Sequence, residues 1–427
     1  MDRRDYTLQE QGIYDHRVEL LFELIGKINT KTGVAGLLDS IMEACKTIMG
    51  AEAGSLMLLS SDEDELVISI PTGPKKSEVS GRRIPVGRGI SGWVARYRKP
   101  VIVNDAASDP RFEGELTTKG FTTRNLISGP MLNNEGKLIG VIQAINKKDG
   151  GDFCEEEIPL LMALANQAAI CIEREYWYRK AIDRERMDEQ MKMARVIQTG
   201  FFPDIKPGHD HIDIAGTSKP AAYVGGDYFD YIKLGNKMWG IAIADVTGKG
   251  VPAAMLMATL RAQLRSLADQ DKSAQETVNT LNSTLLRETG DDTYITMFYG
   301  LLDGNRFRYT NAGHNPPLLY DQETDKFAGL TEGGPLLGFI HDPGYKEGTC
   351  RLKPGQVLVM YTDGITEAED IGGNHFDEDR LKEIIRSEAG NSAEKIMNTI
   401  LREIAEFRNG TPQSDDETLV VLKNNAV

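Results

Sequence analysis

The feature that most constrains this chain is a recurring one: apolar strand-like runs in its C-terminal half that stop at aspartate. Ile241-Ala242-Ile243-Ala244 ends at Asp245, then Val246 and a Thr247-Gly248-Lys249-Gly250 turn lead into the apolar start of a helix at Val251. Gly225-Gly226-Asp227-Tyr228-Phe229-Asp230 places Asp227 and Asp230 in a second Gly-rich turn. The run from Val357 to Met360 passes into Tyr361-Thr362-Asp363-Gly364, and Ser414-Asp415-Asp416-Glu417-Thr418 opens directly onto Leu419-Val420-Val421-Leu422. One such aspartate is an ordinary turn or cap residue. Several brought together repel one another unless cations neutralise them. Carboxylate and water oxygens suit Mg²⁺ or Mn²⁺ and not zinc. The C-terminal half is therefore expected to close around a carboxylate-held metal centre for phosphate chemistry.

The length of 427 residues leaves room for two or three domains. A formal charge of -15 gives neither a nucleic-acid backbone nor an anionic leaflet a basic field to meet. Cys45, Cys154, Cys171 and Cys350 are widely spaced and form no CxxC pair, against structural zinc or a disulfide framework. The polar start of the chain lacks a hydrophobic signal region, and no run is long enough to span a bilayer, so a cytoplasmic location is expected. Neither a GxxxxGK[ST] loop nor a His-Glu-x-x-His motif occurs.

Residues 1–16 are polar and expected to be flexible. Helical spacing follows from Arg17 to Asn29 and again from Leu37 to Ile48, then strands at Ala53–Leu59 and Glu65–Ile70. A Gly-rich turn and short helix occupy Ile84 to Ala95, and Val101 to Asp105 reads as a strand. Pro130 suggests that Asn125–Met131 is an edge strand. A turn at Asn133-Asn134-Glu135-Gly136 precedes the strand Gly136–Ile145, and an apolar helix runs from Ile158 to Ile172. This order, with Gly140-Val141-Ile142-Gln143-Ala144-Ile145-Asn146-Lys147, resembles a GAF domain over residues 17–172. The resemblance implies an antiparallel sheet with flanking helices and a sensory role. Asn146, Lys147 and Phe153 match cyclic-nucleotide-binding members, whereas the acidic pair does not, because Glu157 is followed by Ile158. Dimerisation, or an unknown small ligand or protein partner, is the preferred use of this domain.

Residues 173–200 form a charged, proline-free helical linker in which Met187, Met191, Ala194, Ile197 and Phe201 recur at steps of four and three. That is a coiled-coil-like seam and points to a homodimer. Beyond it, residues 201–427 alternate strands with a few long helices, which suggests an α/β sandwich and not a βαβ repeat.

Six segments in order then resemble the SpoIIE/RsbU branch of the PPM (PP2C-like) serine/threonine phosphatases. They are Ala194–Gln198 through Phe202-Pro203, Val224–Asp230, Ala244–Ala254, Asn311–Pro317, Leu358–Ala368 and Ser414–Leu419. The resemblance implies an α/β/β/α sandwich and a phosphoric monoester hydrolase acting on protein serine or threonine. It further implies that Asp227, Asp245, Asp363 and the Asp415/Asp416 pair, with Asp415 preferred, hold two divalent ions, Mn²⁺ or Mg²⁺. Asp245 would bridge them and the Val246 carbonyl would be a further ligand. Relatives of this kind act on a phosphorylated STAS-type anti-anti-sigma factor. His314 is expected to be structural; Lys249 either meets substrate phosphate or faces solvent; Asp230 is either a cap or an outer ligand. The alternatives are a non-catalytic scaffold on the same folds and a cyclic-nucleotide-gated phosphatase.

Overall fold

The computed structural model describes residues 34–74, 76–113, 120–207, 211–235, 238–269, 271–288 and 294–425. The flexible segment expected at 1–16 and the helix expected at Arg17–Asn29 lie outside the described residues. The chain divides into two compact units between Glu185 and Arg186.

The first unit contains, in order, α1 (Val34–Ile48), β1 (Ala51–Leu59), β2 (Glu65–Thr72), α2 (Lys76–Val79), β3 (Arg83–Pro85), α3 (Gly89–Tyr97), β4 (Val101–Val103), β5 (Leu126–Leu132) and β6 (Leu138–Lys147). The helix α4 (Ile158–Thr199) follows and runs without a break past the division between the units. The strands form one antiparallel sheet in the order β3-β2-β1-β6-β5-β4. Period-two alternation divides its side chains between two cores. Leu56, Ile142 and Ile127 pack against α1 and the start of α4, while Met57, Val141 and Ile145 pack against Ile90 and Val94 of α3. The edge position expected for β5 is not found: it lies between β6 and β4. Its pairing with β4 covers only Leu126–Ser128, so Pro130 sits past the end of β4 and needs no donor on that side.

The second unit contains β7 (Ile212–Lys219), β8 (Tyr228–Lys233), β9 (Met238–Val246), α5 (Val251–Leu267), α6 (Ala274–Glu288), β10 (Ile295–Asp303), β11 (Arg306–Ala312), β12 (Leu318–Asp321), β13 (Lys326–Gly329), β14 (Gly333–Gly334), β15 (Gly348–Arg351), β16 (Val357–Tyr361), α7 (Asp363–Thr366), α8 (Asp377–Glu388), α9 (Ala393–Arg408) and β17 (Glu417–Asn424). One sheet runs β14-β11-β10-β9-β8, with β15 also on β11; the other runs β13-β12-β16-β17-β7. Three apolar layers show how they stack. Ile241, Ile243 and Phe298 of the first sheet meet Leu358, Met360, Val420 and Leu422 of the second. Ala242, Ala244 and Tyr299 turn outward onto Met257, Leu260 and Leu281 of α5 and α6. Val359, Leu419 and Val421 turn outward onto Leu381, Ile385, Ile396 and Ile400 of α8 and α9. The result is the α/β/β/α sandwich. Strands covered on both faces read as continuous apolar runs, which is why β9, β16 and β17 were visible in the sequence. Pro252 in the first turn of α5 and the Ser392 hydroxyl accepting from Lys395 N–H at the start of α9 fix where those helices begin.

Candidate metal centre

Asp227 immediately precedes β8, Asp245 is near the end of β9, Asp363 opens α7 just after β16, and Asp415 and Asp416 precede β17. The antiparallel stacking of these strands brings all of them to one end of the sandwich. Asp227 is buried, and its Oδ2 accepts a hydrogen bond from Thr362 Oγ1 at 2.8 Å. Burial, and then the charges of Asp245 and Asp416, hold its carboxyl well above the ordinary value. Asp245 is pushed up to about 7 by burial and by the charges of Asp363, Asp415 and Asp416, with a hydrogen bond to Asp227 pulling the other way. Asp363 is raised by burial, then by Glu367 and Asp415, and is lowered by Lys249. Several carboxyl groups thus disfavour their own ionisation because they face one another in a partly dry place.

The Val246 carbonyl oxygen belongs to the same cluster. A Cβ on Gly226 would lie 2.7 Å from it, so the residue before Asp227 has to be glycine for β9 and this loop to approach. Asp415 and Asp416 have separate roles. Asp416 is tied down by backbone: its Oδ1 accepts from Ala221 N–H at 2.8 Å, and its Oδ2 from Gly226 N–H at 2.8 Å and Asp227 N–H at 3.3 Å. Asp415 keeps a carboxylate oxygen for Lys249, whose Nζ stands 2.9 Å from Oδ2. Lys249 also donates to the Ser414 carbonyl at 2.7 Å. It therefore neither lies free in solvent nor stands apart from the acidic cluster.

Asp230 departs from the expectation of a turn cap or outer ligand. It lies within β8, fully buried, and accepts from Arg265 Nε at 2.6 Å and Arg265 Nη2 at 2.7 Å. The Tyr228 hydroxyl also donates to it, and Tyr231 N–H reaches Oδ1 at 2.8 Å. It thus fastens α5 to β8 behind the site. His314 is buried, its Nδ1 pairs with Thr296 Oγ1 at 2.8 Å, and Asn311 Oδ1 accepts from its backbone N–H at 2.7 Å. Burial lowers its imidazole to about 4, against a backbone group of Tyr361 that acts in the opposite sense.

Among the described residues, no three His, Cys, Asp or Glu side chains stand arranged to grip one ion by themselves. The donor chemistry nevertheless fits a hard divalent cation. Every candidate donor is oxygen, and Mg²⁺-like ions keep several waters and take only one or two carboxylates each instead of a closed protein cage. The raised carboxyls supply the second argument, since a cation removes the repulsion that raises them. Thr362 was not singled out in the sequence. Its hydroxyl links Asp227 to β17 by also accepting from Thr418 N–H at 3.1 Å, and its only sequence signal was its place between Tyr361 and Asp363.

Two sheets flanked by helices, with aspartates converging at one end, define the PP2C-like class of phosphatase fold. Residues 235–425 match the family model of Stage II sporulation protein E (SpoIIE), and residues 34–172 match that of the GAF domain. The chain is a GAF domain followed by a SpoIIE-type PP2C phosphatase domain. It is 29% identical over 242 residues to the phosphoserine phosphatase RsbU of Bacillus subtilis, which spans 56% of this chain and 71% of that protein. It is 29% identical over 265 residues to Protein IcfG of Synechocystis sp., across 55% of this chain but only 42% of that protein. The SiaA-PP2C domain of Pseudomonas aeruginosa shares the fold, with a TM-score of 0.51 and 20% identity over 57% of this chain and 98% of that domain.

Proposed function

We propose that the second unit is a divalent-cation-dependent protein serine/threonine phosphatase. The observation that carries this is the group of Asp227, Asp245 and Asp363, all raised by burial and by one another's charge at the end of the sandwich. Asp227, Asp245, Asp363, Asp415 and the Val246 carbonyl would hold two ions, Mn²⁺ or Mg²⁺. Asp416, held by three backbone N–H groups, positions the loop that carries Asp227. When bound, such ions supply Lewis acidity and a water acidified toward neutrality for in-line attack at phosphorus. Thr362 orients the Asp227 carboxyl, and Lys249 places positive charge at the rim beside Asp415. His314 is neutral near pH 7 and engaged by Thr296, so it supports the fold of the site and does not transfer protons.

The similarity to RsbU supports a phosphorylated regulatory protein as substrate, and we assign a phosphorylated STAS-type anti-anti-sigma factor. The GAF unit would receive a small ligand or a protein and act as regulator. Among the described residues no helix is long and apolar enough to cross a membrane, in keeping with a cytoplasmic enzyme. Along α4 the side chains of Met187 (57% exposed) and Ile197 (61%) are bare, which favours a homodimer through this helix.

The test is hydrolysis of a chromogenic phosphate ester and of a phosphoserine peptide with Mn²⁺, comparing the intact chain with Asp245→Asn. We expect turnover in the first and a loss of at least about a hundredfold in the second, the scale on which electrostatic groups at such sites act. Equal activity in both proteins, or none in either, would refute the assignment.

A further inference from the structure

Four large apolar side chains stay exposed at the end of the first sheet beside the acidic cluster: Val251 (41%), Tyr294 (42%), Phe339 (64%) and Met255 (67%). Hydrogen bonds place their segments side by side. Thr247 N–H and Thr247 Oγ1 both donate to the Tyr294 carbonyl, at 3.2 and 2.9 Å, and Ile295 and Leu337 exchange two backbone bonds at 3.1 and 2.8 Å. The turn that follows Val246, the start of β10 and the loop after Leu337 therefore form one edge.

Two features set this edge apart from chance exposure. The outward stripe of α5, made of Val251, Met255, Thr259 and Ala262, carries no charge, although charged residues make up 26% of the chain and the outward stripe of α9 holds Glu394, Lys395, Arg402 and Glu406. Phe339, for its part, is presented on a fixed backbone. The buried Asn282 of α6 donates from Nδ2 to the Ile340 carbonyl at 3.0 Å and accepts at Oδ1 from Gly338 N–H at 2.9 Å, so one amide clasps the loop on both sides of the ring. Apolar groups held out to water on a preorganised frame mark a surface that a partner covers.

We propose that this edge docks the protein substrate through apolar residues that flank its phosphoserine. The inference rests on the phosphatase function proposed above and deepens it by naming the chemistry of the substrate around the phosphoryl group. Continuity with the site identifies the occupant. The Val246 carbonyl, a candidate donor, lies five positions before Val251, at most about 17 Å of chain. Lys249, in the same turn, stands 2.9 Å from Asp415 Oδ2. An extended substrate covers such a distance in about five residues, so side chains close to the phosphoserine meet the edge when the phosphate is at the cations. Charge decides the kind of side chain. A chain of net charge -15 repels acidic flanks, and the uncharged stripe of α5 offers basic ones no partner. Apolar flanks gain from burial against Met255 and Phe339.

The experiment compares two phosphoserine peptides that differ only beside the phosphoserine, with leucine and valine in one and serine and glutamine in the other. Their kcat/KM values are measured on the full chain with Mn²⁺, next to p-nitrophenyl phosphate, which is too small to reach the edge. The wild type should prefer the apolar peptide about tenfold, the effect of burying one apolar side chain. Met255→Gln and Phe339→Gln should each remove most of that preference, chiefly through KM, and leave the polar peptide and the small ester unchanged. Both positions are exposed, and turnover of the ester reports that each variant is folded. A wild type without the preference, or a preference that both variants keep, overturns the docking role. Equal losses on all three substrates in both variants would make the edge a support of the metal centre, and a fall in light-scattering mass in both would assign it to a second copy of the chain; either result overturns the proposal as well. A wild type that turns over none of the three substrates refutes the phosphatase reading itself, and this inference with it.

Discussion

Asp245→Asn tests the electrostatics of the site without any substrate. The Asp245 carboxyl is raised from its ordinary 3.8 to about 7. At about 1.4 kcal/mol per tenfold, that corresponds to about 4 kcal/mol of destabilisation once the group is fully ionised. The side chain is partly open to water, and allowing for screening we take about half, ~2 kcal/mol. The sign follows from the direction of the shift. The native state holds this proton to higher pH than the unfolded chain does, so the associated stability is complete below about pH 4 and is lost as pH rises through about 7. Asparagine cannot ionise and can donate to Asp227. In chelator, the advantage of Asp245→Asn over the wild type should therefore grow from about 1 kcal/mol at pH 5 to about 2 kcal/mol at pH 8.5. For a unit of this size the increment of about 1 kcal/mol is about 3 °C in Tm, measurable by thermal denaturation followed by circular dichroism. Mn²⁺ should reverse the order at the higher pH by stabilising the wild type alone. A gap in Tm that is the same at both pH values, or that narrows as pH rises, would refute the reasoning.

Three further outcomes are expected. Asp230→Ala strands the guanidinium of Arg265, which is 39% exposed, and removes the acceptor of the Tyr228 hydroxyl, so it should cost about 2–3 kcal/mol in urea denaturation; a cost below about 0.5 kcal/mol would show that the pair does not anchor α5. His314→Gln should lower stability by about 1–2 kcal/mol while the pH–rate profile between about pH 5.5 and 8 keeps its shape, because the imidazole is already neutral there; the disappearance of a limb near pH 6.5 would assign it a proton-transfer role. Polar substitutions at Met191 and Ile197 should shift the light-scattering mass from dimer toward monomer, and a wild type that is monomeric at tens of micromolar would remove the dimer.

The sequence made the strands that carry the aspartates legible because each is buried on both faces and ends abruptly at a charged residue. β13, β14 and β15 were not legible: they are two to four residues long and almost wholly exposed or half-exposed, so neither a continuous apolar run nor a clear alternation marks them. The site was legible as a set of residues but not as a division of labour. Adjacent residues entering a strand point in opposite directions, so the residues themselves did not separate Asp415 from Asp416, and the preference for Asp415 came from the family resemblance alone. Asp230 was misread because its partner, Arg265, lies 35 positions away on a helix and leaves no local pattern.

The anchoring of Asp416 on the Ala221 N–H joins groups 195 positions apart, and β17 is an interior strand of its sheet, between β16 and the edge strand β7. During synthesis β7 therefore emerges long before the strand it must pair with, and the loop carrying Asp227 has nothing to settle against until that strand arrives. Pairing over such separations is slow to form. A ribosome-bound chain arrested before Glu417 should carry every residue of the acidic cluster and yet be unable to assemble it.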